Sequence, residues 1–235
     1  MDLPAEDPEV IERLQTCDGE IQLQRRGKDY EIIYNGVFIM STYNGVSEQN
    51  AVTNALDILI AKDSNDLKEI KVLLGGLGMG YSLRAALDCP FVTGVTVAEF
   101  EPAVIRWNHN HLQSINGGAL NDNRTEVYEG DFYHLLTDLA KQIEADKSKR
   151  FHLIMVDTDN GSTWLSRPGN FNLYNRTGIR LIKNCLHDKG IASFWCADRE
   201  AEFEKLLENE YNSVSFHTVL EKTGQEGCYY LACMA

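Results

Sequence analysis

The sequence predicts an α/β fold: an open, largely parallel sheet covered by helices, with a small β-rich piece ahead of it. Three observations carry this. From Glu69 onward short apolar runs alternate with helical stretches; the first run ends in a glycine turn; the last two runs are joined by a tight turn with no helix between them. The apolar runs are Val72–Leu74, Val95–Ala98, Val127–Tyr128, Leu153–Val156 and Ile191–Trp195. Between and after them fall the helical stretches Ser82–Leu87, Pro102–His111, Tyr133–Ile143, Leu173–Leu186 and Glu200–Asn209, with Pro102 suited to a first helical position. A repeated β-then-α order buries the sheet on both faces and puts any ligand crevice beyond the strand C-termini. Val214–Glu221, the turn Thr223–Gly227 and Cys228–Met234 close the chain as an antiparallel hairpin.

The N-terminal part has a different texture. Glu20–Gln24, Tyr30–Tyr34 and Val37–Met40 are short alternating runs separated by Arg26-Gly27-Lys28-Asp29 and Asn35-Gly36, the pattern of a β-hairpin or small meander. Three such strands need a surface to pack on, either the main domain or a second copy of the chain. Ser47 then opens an amphipathic helix to about Ile60, with Val52, Ala55, Leu56, Leu59 and Ile60 on one face. The expected organisation is therefore an N-terminal segment and hairpin cap over 1–46 and a ligand-binding domain over 47–235.

Composition narrows the function classes. The formal net charge of −13 over 235 residues disfavours nonspecific nucleic-acid binding and favours cationic small molecules. No apolar run approaches the ~18 residues of a membrane span, and the acidic start MDLPAEDPEVIERL has no secretory pattern, so a cytoplasmic protein without a membrane partner is expected. The six cysteines form no CxxC pair and have no histidines at metal spacing, which predicts buried thiols and no metal site. His109 and His111, two apart on a helix, cannot share a face.

Residues just beyond the strand ends carry the chemistry. After the first strand, Gly75, Gly76, Gly78 and Gly80 permit a sharp turn and a close ligand approach to a helix N-terminus. Glu99 ends the second strand about 20 positions on, where a ribose hydroxyl needs an acceptor. Phe100 can offer a face to a purine and Asp131 an acceptor to its amine, with Phe132 next to it. Asp157 and Asp159 follow the apolar FHLIMV strand, and of two acids so close either one holds a raised pKa and accepts a proton or both hold a cationic amine. The loop Ser162–Asn172, with Trp164 and Pro168, is long enough to cover such a site. Asn44, Glu48 and Gln49 before the first helix, together with Asn160 and Tyr174, are the candidates for contacting an acceptor substrate.

These features together resemble the spermidine synthase family of aminopropyltransferases, which shares the class I S-adenosylmethionine-dependent methyltransferase fold. The likeness runs through YNGVFIMSTYNGVSEQN, VLLGGLGMG, VAEFEPAVI, NRTEVYEGD, LIMVDTDN and LYNRTGIRLIKNCLHDKGIASFW. It implies a seven-stranded, Rossmann-like sheet with its terminal antiparallel hairpin, and a homodimer. It also implies roles: Gly75–Gly80 near the methionine part of the cofactor, Glu99 on the ribose, Asp131 on the adenine amine, and Asp157 orienting or deprotonating an attacking amine. Two departures stand out. The family usually carries an aspartate in the glycine loop to bind the free amine of decarboxylated S-adenosylmethionine, where this chain has Gly78 or its neighbour Leu77; and Asp157 and Asp159 are separated by Thr158 alone rather than by two residues. Loss of the loop aspartate removes a charge that would repel the carboxylate of intact S-adenosylmethionine. The sequence thus predicts an S-adenosylmethionine-dependent transferase that methylates a small, amine-bearing acceptor, with Asp157 and Asp159 as its catalytic acids. The alternatives are polyamine aminopropyl transfer from decarboxylated S-adenosylmethionine, chemistry on the aminocarboxypropyl arm releasing methylthioadenosine, and nucleoside binding without turnover.

Overall fold

The computed structural model describes residues 7–62 and 69–234. The first six residues of the expected N-terminal segment and the final Ala235 lie outside the described residues. Two sheets make up the molecule. The smaller is antiparallel, β1 (Glu9–Thr16), β2 (Gly19–Arg26), β3 (Asp29–Tyr34) and β4 (Val37–Ser41), paired in chain order. It has one more strand than the sequence predicts. β1 carries Val10, Ile11 and Leu14 among Glu9, Glu12 and Arg13, and its edge position leaves half of it in solvent, so its pattern reads as polar. The β3–β4 turn takes positive φ at both Asn35 (51°) and Gly36 (76°), the Asn-Gly turn that matches strand twist. Asn35 Oδ1 also accepts the Glu20 N–H at 2.8 Å and so fixes the strand ends.

The larger sheet has the order β10-β11-β9-β8-β5-β6-β7. Its central strands β5 (Ile70–Gly75), β6 (Val92–Glu99), β7 (Thr125–Glu129), β8 (Phe151–Val156) and β9 (Leu186–Cys196) run parallel, and β10 (Ser213–Leu220) with β11 (Glu226–Cys233) forms the antiparallel finish. This is the α/β architecture the sequence predicts. Strand alternation sorts its side chains onto two cores. Val72, Leu74, Leu153, Met155 and Ile191 face α1 (Val46–Lys62), α2 (Tyr81–Asp88) and the apolar face of the small sheet, including Ile21, Leu23 and Ile32. Leu73, Ile154, Val156, Ala192 and Phe194 face the opposite layer, with α4 (Phe132–Ala145), α6 (Arg176–Cys185) and α7 (Ala201–Glu210). The small sheet therefore has its packing surface within this chain.

One expected helix differs. The single helix over 173–186 is two, α5 (Phe171–Tyr174) and α6, broken at Asn175, whose Oδ1 accepts the Gly178 N–H at 3.0 Å and caps α6. A Cβ on Gly178 would collide with the Asn172 carbonyl, so only glycine allows this abrupt restart. The remaining helix, α3 (Pro102–Asn110), begins at Pro102 as expected. All six cysteines are free, four of them buried and Cys17 exposed. No helix among the described residues is long and apolar enough to cross a membrane.

Candidate active site

Parallel strands β5, β6, β7 and β8 all end at one rim, and the small sheet and the N-terminus of α1 roof it. The cavity between them is lined by Gly76, Gly78, Glu99, Phe100, Glu101, Gly130, Phe132, Asp157, Thr158, Asp159 and Asn160 from the rim, by Ile21, Ile32, Tyr34, Ile39 and Met40 from the small sheet, and by Glu48, Trp164, Arg167 and Trp195.

The glycine turn does two jobs. Gly76 (φ +99°) and Gly78 (φ +50°) line the cavity, and a Cβ on Gly76 would strike the Asp157 carbonyl oxygen. Gly75 and Gly80, expected near the cofactor, serve packing: Gly75 lies under the Phe132 ring, and Gly80 faces Asn108 and Asn116. A Cβ on Gly78 would lie 2.5 Å from Met40 Sδ, so the small sheet fills the space that a longer loop side chain would need.

Glu99 is clasped by backbone. Its Oε1 accepts the Glu101 N–H at 2.8 Å and Oε2 the Leu77 N–H at 3.1 Å, which fixes the carboxylate at the cavity wall with lone pairs to spare. Burial nonetheless raises its pKa above the ordinary value, against those N–H groups. Asp131 stands differently from its expected role. Its Oδ1 caps α4 by accepting the His134 N–H at 3.0 Å, while Oδ2 accepts from Arg167 Nη1 at 3.3 Å, and it does not line the cavity.

The two acids after β8 have separate lives. The Asp157 side chain opens on the cavity, and burial, then Glu48, Asp159 and Glu99, push its pKa well above the ordinary carboxylate value. Asp159 is engaged by its own loop. Its Oδ1 accepts from Ser166 N (2.6 Å), Ser166 Oγ (2.9 Å) and Asn170 Nδ2 (3.0 Å), and its Oδ2 accepts from Thr158 Oγ1 (2.7 Å). Glu48, only 8% exposed, reaches the cavity from the first turn of α1, where the Ser47 hydroxyl donates to its Oε2 at 2.7 Å; burial raises its pKa. That turn is held from the other end of the chain. Glu221 accepts the N–H groups of Gly45 (2.9 Å), Val46 (3.0 Å) and Ser47 (2.7 Å), and Trp195 Nε1 donates to Ser47 Oγ at 2.9 Å.

Gln49 and Tyr174, expected to contact an acceptor, lie off the cavity lining. The Gln49 amide donates to the Gly45 carbonyl at 2.8 Å, and Tyr174 is buried against Phe203 with its hydroxyl 3.4 Å from Thr158 Oγ1. Tyr34, Glu101, Arg167 and Trp195 are cavity residues that sequence reasoning missed. Glu101 and Arg167 had a signal: the acid two residues past Glu99, and the only cation in the Ser162–Asn172 loop.

Comparison with known proteins narrows the fold family. The spermidine synthase from Thermotoga maritima superposes with a TM-score of 0.76 over 96% of this chain and 73% of that one at 15% identity. A spermidine synthase in complex with the transition state analogue AdoDATO gives 0.73 over 96% and 72% at 16% identity. The fold is spermidine synthase-like. Sequence agrees over about half of it: the polyamine aminopropyltransferase of Bacillus mycoides (strain KBAB4) is 36% identical over 121 residues, which are 51% of this chain and 38% of that protein. That of Oceanobacillus iheyensis is 32% identical over 124 residues, 51% of this chain and 21% of that protein. The matched stretch thus spans well under half the length of these relatives. No protein-family model matches the chain. Within the spermidine synthase-like fold, the cavity stands at the strand C-termini, with Glu99 after β6 and Asp157 after β8, on either side of the central β5.

Proposed function

We propose that the protein is a transferase that moves an aminopropyl group from decarboxylated S-adenosylmethionine to an amine-bearing acceptor. The observation that carries this is the charge of the cavity: Glu48, Glu99, Glu101, Asp157 and Asp159 line it against one cation, Arg167, which is already paired with Asp18 and Asp131. Decarboxylated S-adenosylmethionine is a dication and suits such a cavity. Intact S-adenosylmethionine brings a carboxylate, and one like-charged pair about 8 Å apart costs ~2 kcal/mol at an effective dielectric of about 20. That outweighs the argument from Gly78 for the intact cofactor, because Glu48 brings a carboxylate to the cavity from α1. Methyl transfer, the reading the sequence favours, gains nothing from relatives named as polyamine aminopropyltransferases.

In this reading the amine lone pair attacks the propyl carbon bonded to sulfur. The C–S bond breaks with its electron pair kept on sulfur, methylthioadenosine leaves, and the proton shed by the attacking nitrogen passes to Asp157. The sulfonium is already activated, so alignment of nucleophile and carbon supplies most of the acceleration. The raised pKa of Asp157 makes it a stronger base than an ordinary carboxylate, which suits it to accept that proton. Glu48 holds an ammonium group beside it, while Asp159 shapes the loop.

The test incubates the protein with either cofactor form and putrescine and identifies the nucleoside product by mass spectrometry. Methylthioadenosine formed from the decarboxylated form alone is the expected result. S-adenosylhomocysteine, or tighter calorimetric binding of the intact form, overturns the proposal.

A further inference from the structure

Arg167 lies in the loop between β8 and α5. Its guanidinium carbon is 3.2 Å from the centroid of the Phe100 ring, its Nη1 donates to Asp131 Oδ2 at 3.3 Å, and its Nε donates to Asp18 Oδ2 at 2.6 Å. These partners come from three places: the end of β6, the N-cap of α4 and the β1–β2 turn. The side chain is one-fifth exposed, so the guanidinium is stacked rather than resting on the surface.

A guanidinium is a flat group with N–H donors in its plane. An adenine ring is also flat and carries an amine in its plane. The ring face of Phe100 and the acceptor of Asp131 are the two features a purine would use at this rim, and Arg167 holds both. At 3.2 Å no base can slip between the guanidinium and the phenyl ring, since a stacked base needs that spacing on each of its faces. Binding a purine on Phe100 therefore requires Arg167 to leave. Nearby, Tyr34 and Glu101 line the same end of the cavity.

We propose that Arg167 and an adenine base compete for the same Phe100 ring face and Asp131 acceptor, so that the guanidinium exchanges with an incoming adenine nucleoside. The proposal rests on the nucleoside-transferase reading above. Exchange couples binding to loop movement, because Arg167 also ties the loop to the small sheet through Asp18. The inner part of the loop stays anchored through Asp159 with Ser166 and Asn170, and through Glu200 with the N–H of Ser162 at 3.0 Å. The guanidinium arm is the part that moves.

The test uses methylthioadenosine, a neutral nucleoside, so that removing a positive charge from an acidic cavity does not by itself change affinity. Wild type, Arg167→Ala and Arg167→Lys are titrated by calorimetry, with a thermal melt of each to confirm folding. Arg167→Ala is expected to bind roughly tenfold tighter, the scale of a partly buried cation–π contact and its ion pairs. Arg167→Lys keeps the charge but not the flat stack and should fall between; if the alanine variant does not fold, the lysine variant decides alone. Equal or weaker binding by the variants, with the wild type binding normally, overturns the exchange and leaves the nucleoside reading intact. Failure of the wild type and of both variants to bind overturns the nucleoside reading and the exchange together.

Discussion

Removing the Glu221 carboxylate should unfasten the start of α1 and disturb the cavity with it. Glu221 is 6% exposed and lies at the turn after β10, where its own N–H donates to Gln225 O at 2.8 Å. Its Oε2 receives two backbone N–H groups and its Oε1 a third, all from the segment that opens α1. Hydrogen bonds to a charged group contribute about 1.5–3 kcal/mol each before the cost of desolvating the carboxylate is subtracted, so Glu221→Ala should destabilise by about 3 kcal/mol. At about 2–4 °C per kcal/mol for a chain of this size, that lowers Tm by roughly 10 °C. Glu221→Gln should do little better, because one of its ends is an NH2 group facing backbone N–H donors. The pH dependence has a definite sign. Burial alone would raise the Glu221 pKa, but the N–H groups of Gly45, Ser47 and Val46 and the Ser47 side chain hold it below the ordinary value. Its contribution is therefore complete above the unfolded value of about 4.3 and is lost as pH falls through the folded value. Urea denaturation at pH 7 and at pH 3.5 should show the wild-type advantage shrinking at the lower pH. A loss below about 1 kcal/mol for Glu221→Ala at pH 7 would refute the capping argument, since even one ordinary cap is worth about that much.

Other outcomes follow from the same contacts. Gly76→Ala should lose at least about 2 kcal/mol, because φ is +99° and the new methyl meets the Asp157 carbonyl; a urea midpoint within error of wild type would exclude this packing. Asp157→Asn should abolish turnover and also stabilise the empty protein at neutral pH. An acid whose folded pKa is raised binds its proton more tightly in the native state, so it costs stability as pH rises from the ordinary carboxylate range; a variant less stable than wild type at pH 7 contradicts this. Asp159→Asn keeps the oxygen that accepts from Ser166 and Asn170 and reverses the Thr158 contact, the new NH2 donating to the Thr158 hydroxyl, so kcat/KM should fall by no more than about tenfold. Loss as deep as that of Asp157→Asn would make Asp159 a direct participant.

The parallel strands were legible because each is an apolar run bounded by polar residues, and the rim residues because they follow those runs. Glu99, Phe100, Asp157 and Asn160 needed only the rule that ligands gather at strand C-termini. What escaped depends on strand order and on long-range pairing. β1 is an edge strand whose Glu12 accepts from Trp107 Nε1 at 2.5 Å and pairs with Arg106, partners 94 and 95 residues away, so its charged appearance conceals its docking. Asn175 and Gly178 end one helix and start another through a backbone approach that no periodicity reports. Gly75 and Gly80 belong to the same run as Gly76 and Gly78 but face side chains rather than the cavity. A glycine run does not say which of its members a ligand approaches.

The same limit applies to the acid that the glycine loop lacks. A loop is read as a local motif, yet the charge a ligand meets is the sum over everything that lines the cavity. Met40 from β4 occupies the space over Gly78, and Glu48 from α1 adds a carboxylate to the same cavity, raised in pKa beside an Asp157 that feels its field. Neither residue is near Gly78 in sequence, and both are placed by elements that Glu221, Trp195 and the small sheet hold against the rim. In the proposed reading the carboxylate that meets the cofactor comes from a helix rather than from the glycine loop. An inference from the loop alone favours a carboxylate-bearing cofactor; the proposed reading, taken from the whole lining, favours a dication, and the helix that separates the two is pinned in place by the far end of the chain.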